Sequence, residues 1–162
     1  MIDCHGPLEG QSVTWLGDGN NVLVSWIEAA ALLKFELRIA CPDGYSPPAD
    51  LLAWARAQGG DITLHDDPFE AARSSQTLVT DVWISMGDEE GTRTQDFAPY
   101  QVNADLMKVA AGDAIFMHCL PAIRGQEVAA EVIDGPQSVV FDEAENRLHA
   151  QKAVLAWCFA GN

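Results

Sequence analysis

The stretch Ser12-Val13-Thr14-Trp15-Leu16-Gly17-Asp18-Gly19-Asn20-Asn21-Val22 decides the fold. Five β-prone residues run into a glycine turn, and beyond it Val22, Leu23, Trp26, Ile27, Ala30 and Leu33 recur at helical spacing. The reading is strand, tight turn, helix. Moving outward, residues 36–41 form a second strand-like run, and Ser46 places a capping hydroxyl before Pro47 and Pro48 and a helix over 49–58. A strand at 62–64, a short helix at 68–73 and a strand at 77–83 follow. Asn103 is positioned to cap a helix reaching residue 111, 114–117 has a buried-strand pattern, and 138–141 reads as a further short strand. The last helix is long, with Leu148, Leu155 and Phe159 on one face and Glu143 and Glu145 near its start.

Strands alternating with helices predict one α/β domain over residues 1–162: an open, doubly wound, Rossmann-like parallel sheet with helices on both faces. Ligands of such folds sit at the carboxyl ends of the strands. The notable polar residues fall there, at Asp18 to Asn21, from Asp81 onward, and at His118 to Pro121.

Composition narrows the function. The chain has 162 residues, 48% hydrophobic, with 9 basic against 24 acidic side chains and a formal charge of -15. Such a surface repels nucleic-acid phosphates and anionic lipid, and helps a cationic substrate slightly. No apolar run approaches the roughly 20 residues that cross a bilayer, so a cytoplasmic protein without membrane contact is expected. Cys4, Cys41, Cys119 and Cys158 are far apart, which fits reduced thiols and neither a disulfide framework nor a metal site.

Three constellations carry chemistry. Gly17-Asp18-Gly19-Asn20-Asn21 begins like a dinucleotide fingerprint, but Val22 stands at the third glycine position and the second strand ends in Cys41-Pro42 where a ribose-binding acid is wanted. A nicotinamide or flavin cofactor is not expected. Capping explains one of the two asparagines, and the other amide is available to a carboxylate. Asp81 ends an apolar strand beside Trp83, where a carboxylate needs a partner: either an ammonium ligand or a nearby protein donor. His118 and Cys119 are adjacent on an extended chain and point to opposite sides, which argues against a Cys-His catalytic pair. Pro121 is expected to leave Leu120 extended with its carbonyl free. Arg147, four residues after Glu143, reads as a helix-surface ion pair or, if turned to the strand ends, as a phosphate ligand.

In this order, Gly17-Asp18-Gly19-Asn20-Asn21, Thr80-Asp81-Val82-Trp83-Ile84-Ser85-Met86-Gly87, His118-Cys119-Leu120-Pro121 and Glu143-Ala144-Glu145-Asn146-Arg147 resemble the carboxyl-terminal half of the ornithine carbamoyltransferases. The aspartate enzymes share the fold but are not expected to carry the Ser85-Met86-Gly87 loop. The resemblance implies that Asn21, Asp81, Ser85 and Met86 bind ornithine. It implies that Cys119, Leu120 and Arg147 meet carbamoyl phosphate, and that Asp81 and Cys119 are the catalytic residues. The reaction it implies, transfer of the carbamoyl group to the δ-amine of ornithine, needs no metal or cofactor.

The family's amino-terminal domain holds the phosphate through a Ser-Thr-Arg-Thr loop and a His-Pro-x-Gln motif, and neither occurs in this chain. The chain therefore reads as a fragment: the ornithine-binding half, inactive alone, of an enzyme expected to be a homotrimer. Leu155, Trp157 and Phe159 are then either core or a face for the other half. The competing readings are a stand-alone module that binds a basic amino acid, a carbamoyltransferase for a related amine, and, more remotely, a nucleotide-dependent enzyme.

Overall fold

In the computed structural model, residues 1–84 and 91–160 are described. After a short helix α1 (Ile2–His5), the chain alternates β1 (Ser12–Leu16), α2 (Asn21–Leu33), β2 (Glu36–Ala40), α3 (Ala49–Ala57), β3 (Asp61–His65), α4 (Pro68–Ala72) and β4 (Thr77–Thr80). Then come α5 (Arg93–Phe97), a 3-10 turn (Ala98–Tyr100), α6 (Ala104–Val109), β5 (Ile115–His118), α7 (Ala130–Ile133) and α8 (Val140–Phe159). The five strands form one sheet in the order β3-β2-β1-β4-β5. All four pairings are parallel, as the alternation of the sequence requires.

Side chains leave the sheet alternately, so each strand feeds two cores. Val13 and Trp15 of β1 pack with Leu23 and Ile27 of α2 and Leu52 of α3 on one face. Leu16 turns to the other face, where Leu78 and Phe116 meet Ala71 and Ala72 of α4 and Leu106 of α6. All five residues of β1 are buried, which suits the central strand of a sheet covered on both sides. The hydroxyl of the buried Thr14 is satisfied, donating to the Ala71 carbonyl at 2.9 Å. Among the described residues no helix is long and apolar enough to cross a membrane.

Local chemistry sets most helix starts. Asn20 caps α2, Asn103 caps α6, and Asp67 caps α4 with Pro68 in its first turn. Ser46 does not play that part: α3 starts after Pro48 with no side-chain cap. The strand expected over 77–83 ends at Thr80, because its neighbour β1 ends opposite it, at Leu16. The strand expected at 138–141 is absent. Ser138 makes a single bridge to Phe116, Val139 N–H donates to the Phe116 carbonyl at 3.0 Å, and the chain turns directly into α8. The apolar residues expected along α8, Leu148, Leu155, Trp157 and Phe159, are exposed; the buried residue of the helix is Val140, a member of the strand expected at 138–141.

At the turn after β1, Gly19 is demanded by packing. A Cβ on Gly19 would lie 2.4 Å from the Tyr45 carbonyl oxygen, and Gly19 N–H donates to that same oxygen at 2.8 Å. The turn after β1 is thereby pressed against the loop after β2.

Candidate functional site

The sheet reverses its winding between β1 and β4, whose connections leave to opposite faces; this is the place where open α/β sheets hold ligands. Leu16 pairs with Thr80, so Gly17 and Asp81 emerge side by side. The Thr80 hydroxyl donates to the Leu16 carbonyl at 2.5 Å and locks the two ends together. Asp81 is 8% exposed and among the described residues its carboxylate accepts from three donors: Val82 N–H at 2.8 Å, Asn20 Nδ2 at 2.8 Å and Cys119 Sγ at 3.3 Å.

Asn20 does two jobs with one amide. Its Oδ1 accepts from Val22 N–H at 2.9 Å and Leu23 N–H at 3.2 Å, capping α2, while its NH2 faces Asp81. Only one orientation of the amide satisfies both ends. Asn21, the first residue of α2, is exposed, and its side chain makes no hydrogen bond among the described residues.

Cys119 is exposed as a residue, yet shielding of its sulfur and the neighbouring Asp81 push its thiol up to about 12. At neutral pH it is a protonated hydrogen-bond donor, not a nucleophile. His118 is fully buried, but its ring is not carried away from Cys119 as an extended chain predicts: a ring nitrogen and the sulfur come within 4.8 Å of each other. Its Nδ1 accepts from Leu120 N–H at 2.9 Å, so the proton of the neutral ring sits on Nε2, 3.3 Å from the equally buried Glu127. Leu120 is not extended: its φ is 55° and its bond to Pro121 is cis. This left-handed backbone is disfavoured for leucine and is held by the bond to His118. The Leu120 carbonyl accepts no hydrogen bond among the described residues.

Glu143, in the first turn of α8, accepts from His118 N–H at 2.9 Å, and burial pushes its carboxyl above the usual carboxylate range. It makes no ion pair with Arg147, which is exposed one turn further along α8. Ser85 and Met86, expected at the site from the sequence, lie outside the described residues.

The ligating atoms of Asp81, His118 and Cys119 fall within 4.8 Å of one another. They suit a metal ion poorly. The Nδ1 lone pair of His118 is committed to Leu120, its Nε2 carries a proton, and the thiol would have to ionise.

Sequence reasoning missed Glu127 and Arg93. Arg93 pairs with Asp18 and donates from Nε to the Trp83 carbonyl at 2.7 Å. Its only signal was a cation amid Asp88, Glu89, Glu90 and Asp96.

Residues 9–158 match the model of the aspartate/ornithine carbamoyltransferase Asp/Orn binding domain. The chain belongs to that family. It is 58% identical over 156 residues to the ornithine carbamoyltransferase of Bradyrhizobium diazoefficiens, covering 96% of this chain and 51% of the relative. Among solved structures, the ornithine carbamoyltransferase from Pyrococcus furiosus superposes with a TM-score of 0.90 at 47% identity, over 96% of this chain and 51% of that one. The ornithine transcarbamoylase from Giardia lamblia gives 0.86 at 34% identity, over 94% and 52%. The chain thus spans about half the length of the carbamoyltransferases it matches, and its fold is that of their Asp/Orn binding domain.

Proposed function

We propose that this chain is the amino-acid-binding half of an ornithine carbamoyltransferase. The whole protein then transfers the carbamoyl group of carbamoyl phosphate to the δ-amine of ornithine, giving citrulline and phosphate. The nitrogen lone pair attacks the carbamoyl carbon, the carbon–oxygen bond to phosphate breaks, and the amine's proton is accounted for on the departing phosphate. The observation that carries this reading is Asp81, a shielded carboxylate at the sheet's switch point with the uncommitted Asn21 amide across the turn. An α-ammonium group is attracted by the one and an α-carboxylate is recognised by the other. A second carboxylate, as in aspartate, finds no cation among these groups.

In this reading Asn21, Asp81, Ser85 and Met86 hold ornithine, and Cys119 and Leu120 border the reacting end. The free Leu120 carbonyl accepts from the carbamoyl NH2, and Arg147 reaches toward carbamoyl phosphate. An amino-terminal half supplies the remaining phosphate donors, which stabilise charge on the leaving group, and it packs on the open face of α8. The assembled protein is a cytoplasmic homotrimer.

Calorimetric titration of ornithine into the wild-type chain and Asp81→Ala tests the site. The substitution is expected to cost at least ~2 kcal/mol, about 30-fold in affinity. Equal heats from both proteins would remove Asp81 from it. The chain alone is expected to form no citrulline, and an amino-terminal half added in trans to restore formation. A folded partner that restores nothing would favour a stand-alone amino-acid-binding module.

A further inference from the structure

Two ties join the same pair of strand ends. The first is the Asn20 to Asp81 hydrogen bond at 2.8 Å. The second is Arg93, which links Asp18, two residues before Asn20, to Trp83, two residues after Asp81. Nη2 pairs with Asp18 Oδ2 while Nε donates to the Trp83 carbonyl. The loop after β2 and α5 itself form the floor: the guanidinium lies 4.9 Å from the Tyr45 ring centroid and 5.2 Å from that of Phe97. The Tyr45 carbonyl also accepts from Gly19 N–H, and Trp15 Nε1 donates to the Asp18 carbonyl at 2.9 Å. Arg93 therefore touches the loops after β1, β2 and β4 at once, with its side chain and that of Asp18 only 16% and 15% exposed.

We propose that Arg93 is a positioning residue: it holds the segments bearing Asn20 and Asp81 in register and so sets the affinity of the site for its amino-acid ligand, without touching that ligand. A shielded ion pair recovers little net stability after desolvation, so adding stability alone is a weak account of it. What the planar fork and its stacking on two rings supply is a fixed geometry that an ammonium on a flexible stem reproduces only in part. Fixing the two loops before a ligand arrives lowers the ordering cost of binding. The proposal rests on the ornithine reading for the ligand's identity, and on the geometry alone for the clamp.

Site-resolved amide exchange on the full chain, paired with ornithine titration, separates the two. In Arg93→Gln, the amides of Val22 and Leu23, held by Asn20, and of Val82, held by Asp81, should exchange about tenfold faster or more. The Phe116 amide, which donates to Gln137, should be unchanged. Ornithine affinity should fall about tenfold, Arg93→Lys should recover part of it, and adding Asp18→Asn to Arg93→Gln should cost nothing more. Unchanged exchange at Val22, Leu23 and Val82 overturns the proposal, as does loosened exchange with undiminished affinity in a wild type that binds. Should wild type itself fail to bind ornithine, the functional reading falls, while the exchange rates still decide the clamp. If Arg93→Gln does not fold, Asp18→Asn and Arg93→Lys carry the same measurements.

Discussion

The carboxyl ends of β1 and β4 and the outer half of α8 place their side chains in opposite relations to water. At the strand ends, Asp81 and Arg93 are shielded and paired: among the described residues Asp81 has three donors, and Arg93 is stacked and ion-paired. Along α8, large apolar side chains stand open, Trp157 at 68% and Phe159 at 84% exposure. The first region is satisfied from within: the donors to Asp81 among the described residues come from the ends of β1, β4 and β5. The second is unfinished: helices of this kind draw most of their stability from burying an apolar stripe, and α8 buries Val140 alone. Under the proposed function the ligand's amino-acid end is recognised by preformed geometry, whereas α8 awaits the other half.

The comparison breaks first at Asn20. Asn20→Ala removes both the cap of α2 and a partner of the shielded Asp81, and should cost about 2 kcal/mol or more in urea denaturation. Asn20→Ser keeps a capping acceptor and should recover about 1 kcal/mol of that loss. A serine variant as stable as wild type would mean that the bond to Asp81 contributes nothing.

Cys119 sharpens the comparison by pH. Its folded-state thiol is raised to about 12, so the proton is bound more tightly in the native protein. The associated stability is fully present below the ordinary thiol pKa of ~8.5 and is lost as pH climbs from there toward 12. Alkylation of Cys119 by iodoacetamide, located by mass spectrometry, should stay slow through pH 9. In Asp81→Asn it should run severalfold faster at the same pH, because a negative neighbour has gone. Identical rates would show that Asp81 does not govern the thiol. The smallest effect belongs to α8: Phe159→Ser should move the stability of the isolated chain by less than ~0.5 kcal/mol. A loss above ~1 kcal/mol would show that this end of the helix is packed in solution.

The sheet was legible because its signals are local. Alternation, glycine turns and caps marked β1, α2 and α6, and the cap at Asn103 lies where the sequence placed it. Three misreadings share a cause in tertiary context. Val139 and Val140 are β-branched and read as strand, but β5 offers that segment one bridge before α8 begins. The run ending at Trp83 looks like strand throughout, yet its ladder partner stops opposite Thr80. Leu120 takes its left-handed turn because a buried histidine two residues back captures its N–H. At the site, motifs located Asp81, Asn21 and Cys119, which the structure gathers at neighbouring strand ends. Arg93 and Glu127 were invisible because their partners, Asp18 and His118, lie far off in sequence or across an irregular turn.

Gly19 carries a practical consequence. Because its Cα sits directly against the Tyr45 to Pro47 backbone, the glycine turn is not a portable module. Transplanting it onto another parallel sheet to make an amino-acid receptor would require bringing the following loop along as its mould. Even an alanine at that one position would be expected to push the two asparagines out of alignment.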